Sequence, residues 1–390
     1  MSAKKKILFT INSMNVGGVE KALISLLHDL DYSKFDVDLQ LFKKEGLFLS
    51  DIPLEVNILE VPTNYQYFDC SYKKVIKTLN PNLIFNRYKF KSSKSKAKTP
   101  TEREQLAWKY VGKTIKPLSK FYDVAIGYLE NTPIFFTVDK VRAGKKIGFI
   151  HNDYKNIKSN PALDMPYFEK LDNICSVSDH CVEILKSTFP LLKGKIKLIP
   201  NVFSEHLILK NSEESVTEVQ INVNLFNIVS IGRLAEQKGF DLAIQVAGIL
   251  KEKHFSFNWF ILGEGPLREE LENKIKDSNV EDCLFLLGNQ PNPYKFMKFA
   301  DLIVQTSIFE GKSIAIDEAK LLNKIILVTS YPTAKDQIMN NIDGFISNFS
   351  PDEIADRIIS LAKDDFLTEN IVKYLKDNRL QKENKILELF

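Results

Sequence analysis

The segment Phe309-Glu310-Gly311-Lys312-Ser313-Ile314-Ala315-Ile316-Asp317-Glu318-Ala319-Lys320 reads as a loop that turns into a helix, with a carboxylate at each end. It follows a strand-like apolar run at 302–307, and Ser313 is a candidate N-cap for the helix. A helix that begins here directs unpaired N–H groups and the positive end of its dipole at the space in front of the strand, which predicts an anion site. Glu310 and Glu318 flank that site as hydroxyl acceptors. The segment therefore predicts a phosphorylated polyol as ligand.

A second turn with charged side chains, the motif G-R-x4-K-G at 232–239, also follows a strand-like run and precedes a helical pattern. Glycine lets the backbone approach a ligand, while Arg233 and Lys238 bring two positive charges and several donors to one place. These features indicate a site for an anionic group. The alternative for this pair is a surface salt bridge with Glu236 or Asp241.

The chain opens with the same arrangement. A β-prone run at 7–11 is followed by a loop with Gly17 and Gly18 and then by apolar residues at helical spacing. Strand, glycine loop and helix form the opening unit of a Rossmann-like domain. Because two such openings lie about half a chain apart, we expect two domains of this kind.

Taken together, five features occur in a set order: the Gly17-Gly18 loop, His151 directly after the strand-like run 146–150, the G-R-x4-K-G motif, the Gly263-Glu264-Gly265 turn, and the pair Glu310 and Glu318 in an E-x7-E pattern. In this order the chain resembles the retaining nucleotide-sugar glycosyltransferases of glycosyltransferase family 4, the group 1 glycosyltransferases. The resemblance covers roughly residues 5 to 350. It implies the α/β fold called GT-B, in which two Rossmann-like, doubly wound domains face each other across a cleft.

The resemblance also implies a role for each matching residue. His151 positions the donor hexose, and Arg233 and Lys238 hold the donor diphosphate. Glu310 contacts the sugar or the diphosphate end, and Glu318 binds the ribose hydroxyls. The catalytic set is therefore His151, Glu310, Arg233 and Lys238. The positions implied in nucleotide-sugar binding are Gly17, Gly18, Gly232, Arg233, Lys238, Gly263, Glu310, Gly311, Lys312, Ser313, Ile314 and Glu318.

The implied reaction transfers a hexosyl group from a nucleotide-diphosphate sugar, with a UDP-sugar favoured, to a saccharide acceptor with retention of configuration. It requires no prosthetic group and no metal. Many family members carry an aromatic residue and Pro or Gly where this chain has Lys312-Ser313. This variant resembles members from bacterial capsular and exopolysaccharide pathways, which implies a lipid-linked oligosaccharide acceptor.

The length of 390 residues exceeds what a single core usually serves. We expect an N-terminal acceptor domain at 1–202, a polar linker at 203–225, a donor domain at 226–365, and a C-terminal helix at 366–390 that crosses back to the first domain. The alternative for that helix is a free amphipathic segment on a membrane. Apolar runs near the start are too short for a signal sequence or a membrane span, which predicts a cytoplasmic protein.

The stretch 73–120 stands out by its charge. It holds 14 Lys and Arg residues against two Glu, a net charge of +12 in a chain whose total is +3. Aromatic and apolar residues alternate with these lysines, a mixture suited to the face of an anionic membrane. A solvated basic loop around 89–98 is the alternative. A nucleic-acid interface is disfavoured because no recognition motif accompanies the charge.

Other functional classes also remain open. A pseudo-glycosyltransferase that binds a partner without turnover would be expected to lose its phosphate and ribose groups, which this chain retains. A Rossmann oxidoreductase should show G-x-G-x-x-G after its first strand, and neither opening has that pattern. A sugar-nucleotide epimerase on the same two-domain plan is the closest enzymatic competitor.

Overall fold

The computed structural model describes residues 3–15, 17–68, 70–93, 97–201, 203–217, 219, 222, 224–378 and 385–390, without the side chains of Ser93 and His206. Several predicted features fall partly outside these ranges. They are Lys94 and Lys96 of the basic stretch, Val202 at the first boundary, residues 218, 220–221 and 223 of the linker, and 379–384 of the C-terminal segment.

The chain forms two compact units. Unit 1 comprises Met1–Asn15, Val19–Val202 and Asn384–Phe390, and unit 2 comprises Val16–Gly18 and Phe203–Glu383. The assignment of acceptor and donor functions to these parts of the chain stays a prediction.

Unit 1 contains a parallel sheet of seven strands in the order β3-β2-β1-β4-β5-β6-β7. The strands are β1 (Lys5–Ile11), β2 (Phe35–Leu41), β3 (Asn57–Ile58), β4 (Phe121–Gly127), β5 (Arg142–Ile150), β6 (Asn173–Ser176) and β7 (Ile196–Leu198). The helices are α1 (Gly18–Asp29), α2 (Tyr72–Ile76), α3 (Pro81–Ser93), α4 (Pro100–Val111), α5 (Thr132–Lys140), α6 (Pro161–Phe168) and α7 (Asp179–Thr188). The strand order reverses between β1 and β4, which is the switch point of a doubly wound sheet.

Unit 2 repeats this plan with six strands in the order β10-β9-β8-β11-β12-β13. They are β8 (Phe226–Ile231), β9 (Phe257–Leu262), β10 (Leu284–Leu286), β11 (Leu302–Gln305), β12 (Ile325–Thr329) and β13 (Phe345–Ser347). The helices are α8 (Glu205–Ser212), α9 (Phe240–Glu252), α10 (Arg268–Asp277), α11 (Tyr294–Phe299), α12 (Ile314–Leu321), α13 (Ala334–Gln337), α14 (Pro351–Leu361) and α15 (Asp365–Asp377).

Alternate side chains along the strands of unit 2 enter two separate cores. Ile228 of β8 packs in one core together with residues of α9, α10 and α14, and the adjacent Val229 packs in the other with residues of α11 and α12. Helices therefore cover both faces of the sheet, which explains why its strands are continuously apolar. The prediction of two Rossmann-like α/β domains is confirmed.

Two predicted elements are shorter than expected. The apolar run at 56–61 predicts a strand, but the structure forms only Asn57–Ile58 at the sheet edge, where a single neighbouring strand offers hydrogen bonds. The C-terminal helix ends at Asp377, and its Ile371 and Leu375 are buried in a core of unit 2. A free amphipathic helix is therefore wrong for this segment. Within the described ranges, no helix has both the length and the apolar character to cross a membrane.

The turn after β9 requires glycine, which generates a stability prediction. Gly263 has φ +146°, and a Cβ there would lie 1.9 Å from the carbonyl oxygen of Gly232. Gly263→Ala should therefore lower the free energy of unfolding by about 2 kcal/mol or more, measured by urea denaturation. Gly248 on α9 is the matched control because a Cβ there meets no atom within 4 Å. Gly248→Ala should raise the same free energy by about 0.5–1 kcal/mol, and a loss at both positions would contradict this argument.

Candidate functional site

The candidate site of unit 2 lies at its switch point, where β8 and β11 are adjacent. The turn after β8, residues 232–239, carries the G-R-x4-K-G motif. The turn after β11, residues 306–313, leads into the helix of the E-x7-E pattern. Because carboxyl ends of parallel strands meet at one edge of a sheet, both motifs converge there.

Hydrogen bonds join these two turns. The Ile308 N–H donates to the Gln237 carbonyl at 2.8 Å, and Gln237 Nε2 donates to the Phe309 carbonyl at 3.0 Å. Thr306 Oγ1 donates to the Lys238 carbonyl at 3.0 Å. A Cβ on Gly239, which has φ +60°, would lie 2.3 Å from the Thr306 carbonyl oxygen. The last glycine of the motif is therefore required for the close approach of the two turns.

An ion pair links the two motifs directly. Lys238 Nζ lies 2.6 Å from Glu310 Oε1, and both side chains are largely buried. The same oxygen accepts from Ser307 Oγ at 2.7 Å and from Gln305 Nε2 at 3.1 Å. The alternative that Lys238 forms a surface salt bridge with Glu236 or Asp241 is wrong. Asp241 pairs instead with Lys274, at 2.8 Å.

Arg233 differs from Lys238 in having an exposed side chain. Among the residues that the structure describes, its guanidinium makes no hydrogen bond and no ion pair. The turn thus presents one cation that is neutralised within the protein and one that is available to a ligand. An exposed guanidinium presents several N–H donors in one plane, which suits bidentate contact with phosphate.

The start of α12 differs from the prediction in its hydrogen bonds. Ser313 occupies the N-cap position, but its side chain forms no capping bond and its hydroxyl donates to Gln305 Oε1 at 2.6 Å. The Ser313 N–H, expected to be unpaired, donates to Gln337 Oε1 at 2.7 Å. The neighbouring Lys312 ammonium lies 3.9 Å from Asp317 Oδ2. The helix terminus therefore offers fewer unpaired donors than the sequence predicts, because Gln337 supplies an acceptor from the next strand connection.

Glu318 is buried on α12 and accepts a hydrogen bond from Tyr294 Oη at 2.8 Å. Tyr294 begins α11 directly after the loop 288–293. In the same region the Gly263 N–H donates to the Gly288 carbonyl at 2.8 Å. These bonds place that loop next to the turn after β9 and bring Tyr294, the residue that follows the loop, to Glu318.

The remaining residues of the predicted nucleotide-sugar site lie at strand ends or helix starts. Gly232 follows β8 directly, while Gly311 and the buried Ile314 lie on either side of the α12 N-cap. Gly17 and Gly18 lie at the start of α1. Their predicted contacts with a donor stay predictions.

In unit 1, His151 directly follows β5 and is 5% exposed. Its ring stacks on Phe149 with centroids 5.6 Å apart and lies 5.1 Å from the ring of Tyr128. Burial lowers the pKa of His151 to about 4. Within the described part of the chain neither ring nitrogen has a hydrogen-bond partner. The imidazole is therefore neutral at physiological pH, with one donor and one acceptor available to a ligand.

Sequence reasoning missed several polar residues around these turns. Gln305 and Gln337 bond to Glu310 or Ser313, and Tyr294 bonds to Glu318. Tyr331 follows β12, and its buried hydroxyl has no partner among the described residues. Glu130, after β4, bonds to the turn at His151. A search for polar residues just beyond each strand would have found Tyr331 and Glu130, which follow the ends of β12 and β4, but not Gln305 within β11, Gln337 at the end of α13 or Tyr294 at the start of α11.

Comparisons with known proteins agree with this geometry. Residues 211–378 match the family described as "Glycosyl transferases group 1". Over this segment the chain is similar to the group 1 glycosyltransferases. The matched residues include the turns after β8, β9 and β11, which carry the charged motifs.

Two curated relatives are similar to this chain over part of their length. An uncharacterized glycosyltransferase of Methanocaldococcus jannaschii is 33% identical over 180 residues, 45% of this chain and 44% of that protein. The N-acetylgalactosamine-N,N'-diacetylbacillosaminyl-diphospho-undecaprenol 4-alpha-N-acetylgalactosaminyltransferase of Campylobacter jejuni is 25% identical over 237 residues, 61% of this chain and 60% of that protein. The chain thus spans less than two thirds of each of these relatives.

A solved structure extends the likeness of fold to almost the whole chain. HepE of Anabaena, crystallised in complex with UDP-glucose, has a TM-score of 0.67 at 18% sequence identity. The alignment covers 95% of this chain and 93% of the HepE chain. At this identity the comparison shows the fold alone. The predicted GT-B fold class is confirmed. Among the described residues, no group of three or more His, Cys, Asp or Glu side chains is arranged to hold a metal ion.

The lowered pKa of His151 generates a prediction about stability. Between its unfolded pKa of 6.5 and its folded pKa of about 4, the unfolded chain binds a proton that the folded chain does not. The free energy of unfolding should therefore fall as the pH is lowered through this window, by about 1–2 kcal/mol between pH 7 and pH 5 from this group. Urea unfolding of the wild type and His151→Gln at both pH values measures the difference. Equal pH dependence in the two proteins would show that burial does not depress this pKa.

Proposed function

We propose that this glycosyltransferase moves a hexosyl group from a nucleotide-diphosphate sugar, a UDP-sugar, to a saccharide acceptor linked to lipid, with retention of configuration, in the synthesis of a cell-surface polysaccharide. In this proposal unit 2 holds the donor and unit 1 the acceptor. The single observation that carries it is the joining of the two charged turns of unit 2 through Lys238 and Glu310, beside the exposed guanidinium of Arg233.

The choice of donor follows from the charges at this edge of the sheet. Arg233, Lys238 and the N-terminal end of α12 provide positive potential for a diphosphate. Buried Glu318 provides an acceptor suited to ribose hydroxyls, and Glu310 an acceptor beside the diphosphate or the sugar. The UDP-glucose complex of HepE supports uridine as the base.

The chemistry assigns few tasks to the protein. When the bond between the anomeric carbon and the diphosphate oxygen breaks, negative charge grows on the departing phosphate, and Arg233 and Lys238 stabilise it. The phosphate takes the proton of the acceptor hydroxyl on the same face, and the hydroxyl oxygen bonds to the anomeric carbon. His151, assigned by resemblance to the donor hexose, is neutral and contributes hydrogen bonds rather than charge.

The alternatives make different demands on these groups. A binding protein without turnover has no need for a cation that lacks a protein partner, whereas Arg233 is exposed and retained. An epimerase of the same fold would use the donor site but would need no saccharide acceptor. Analysis of the products formed from a bound UDP-sugar, with and without an oligosaccharide acceptor, separates epimerisation from transfer.

Arg233→Ala gives the cleanest test of the donor site. Because this guanidinium has no partner in the described structure, its removal should leave the unfolding transition unchanged. Loss of a charge-assisted contact with phosphate should raise the dissociation constant for UDP about 10- to 100-fold. Calorimetric titration with UDP, UDP-glucose, UDP-N-acetylglucosamine and GDP-mannose measures this change and identifies the base.

Lys276→Ala is the matched control for that titration. Lys276 is an exposed cation on α10 in the same unit, so the variant has the same change in net charge. It should bind UDP like the wild type. Equal weakening in both variants would indicate a diffuse charge effect, and no binding of any nucleotide by the wild type would refute the donor assignment.

A membrane partner is proposed from the surface of α2 and α3. Lys89 and Lys91 lie on α3 rather than in a loop, and both side chains are exposed. Four apolar side chains on and between these helices are exposed: Ile76 48%, Leu79 83%, Phe85 59% and Tyr88 62%. Exposed lysines flank them at positions 73, 74, 77, 89 and 91. An apolar patch with surrounding cations complements an anionic bilayer, and the diphospho-undecaprenol in the name of the Campylobacter jejuni relative supports a lipid-linked acceptor.

Vesicle binding tests this surface. Replacement of Lys73, Lys74 and Lys77 by Gln should weaken binding to phosphatidylcholine vesicles with phosphatidylglycerol on the order of 100-fold, since each lysine contributes about 1 kcal/mol. Phe85→Ser should also reduce co-sedimentation. Phe366→Ser, at an exposed phenylalanine preceded by Asp364 and Asp365, is the control and should have no effect. Wild-type binding that is indifferent to phosphatidylglycerol and to salt would contradict this proposal.

A further inference from the structure

The switch point of unit 1 contains a buried carboxylate that the proposed mechanism does not use. Glu130 lies three residues after Gly127, the last residue of β4, and is 7% exposed. Strand β4 pairs with β5, and His151 follows the end of β5. Glu130 and His151 are thus brought together at the carboxyl ends of two adjacent strands.

All three hydrogen bonds from this turn reach one oxygen of the carboxylate. Glu130 Oε1 accepts from the N–H of His151 at 2.8 Å, from the N–H of Asn152 at 2.9 Å and from Asn152 Nδ2 at 3.3 Å. The two N–H groups lie just beyond the end of β5, where the sheet no longer supplies acceptors. The carboxylate oxygen accepts the hydrogen bonds that a neighbouring strand would otherwise accept, and it thereby fixes the direction in which the chain leaves β5.

The His151 ring has no polar support of its own. Both of its nitrogens are buried and lack partners among the described residues, and its ring contacts are with Phe149 and Tyr128. In many catalytic sites a carboxylate orients a histidine through a ring nitrogen, which occupies that nitrogen. Here the Glu130 carboxylate bonds to the main chain instead. The orientation of the His151 ring is therefore fixed while both ring nitrogens stay available to a ligand.

We propose that Glu130 is a positioning residue, which anchors the main chain at His151 and Asn152 and thereby holds the neutral imidazole between Tyr128 and Phe149 for contact with substrate. The effect on turnover rests on the proposed transferase function, whereas the effect on the ring does not. A carboxylate that only satisfied two N–H groups would change stability and leave the ring environment and the turnover number unaltered.

The geometry selects four variants. Glu130→Ala removes all three bonds. If that variant fails to fold, Glu130→Asp takes its place, because the shorter side chain moves the carboxylate away by one methylene. Glu130→Gln keeps an oxygen that can accept the same bonds and should behave like the wild type. The matched control is Glu104→Ala, because Glu104 accepts at 3.3 Å from both Asn131 and Thr132 but makes no bond to the turn at His151.

The first measurement is independent of activity. In protein labelled with carbon-13 at histidine Cε1, the His151 resonance, assigned through His151→Gln, should be displaced by the ring currents of Phe149 and Tyr128. Glu130→Ala and Glu130→Asp should move it toward the position of exposed histidines, and Glu130→Gln and Glu104→Ala should not. An unmoved resonance in Glu130→Asp, or an equal displacement in Glu104→Ala, overturns the proposal.

The second measurement is the release of UDP from the UDP-sugar that binds the wild type. Glu130→Ala should lower kcat at least 10-fold, with the UDP dissociation constant and KM within about 2-fold of wild type, because a small misplacement of a reacting group is costly while UDP is held by unit 2. Unchanged kcat beside a displaced resonance would overturn the positioning role. If the wild type binds no UDP-sugar, the proposed function fails, and the resonance still decides whether Glu130 holds His151.

Discussion

The ion pair between Lys238 and Glu310 is the contact on which the arrangement at the switch point of unit 2 depends. The two residues are 72 positions apart and lie after two adjacent strands, and they meet at 2.6 Å. A largely buried ion pair of this kind is costly to break, because either partner alone would remain as an uncompensated charge. The hydrogen bonds of Gln237 and Thr306 hold the same two turns together. The charged motifs are therefore parts of one structure and not two independent loops.

This pairing explains how the two cations of the turn differ. The charge of Lys238 is already balanced by Glu310, so its attraction for an incoming anion is reduced until the ligand shares its donors. Arg233 has no partner to leave among the described residues, so its guanidinium needs no rearrangement to contact a ligand. A diphosphate would thus contact Arg233 without any prior rearrangement, whereas Lys238 would have to share its donors between Glu310 and the ligand. Such an arrangement gives stabilisation that grows as negative charge develops on the phosphate, which is what transfer requires.

The fold could be predicted from the sequence because most strands are local apolar runs and the turns after β8 and β11 are marked by glycine and charge. The hydrogen-bond partners could not be predicted, because they depend on which strands become neighbours. Ser313 fits a capping position, yet its hydroxyl bonds to Gln305 and its N–H to Gln337. Glu130 follows an ordinary strand with no glycine motif. Its importance is visible only once β4 and β5 lie side by side.

The two units differ in the charges at their switch points. In unit 2 the cations Arg233 and Lys238 lie beyond β8, whereas in unit 1 the carboxyl groups of Glu20, Glu104 and Asp164 lie close enough to Glu130 to interact with it electrostatically. Burial raises the pKa of Glu20 to about 7 and that of Asp164 to about 6, and it also raises the pKa of Glu104 and Glu130. Glu20, whose pKa is about 7, can therefore donate as well as accept hydrogen bonds near neutral pH. Because buried carboxyl groups disfavour an anion, the proposed binding of the donor diphosphate fits unit 2 better than this edge of unit 1.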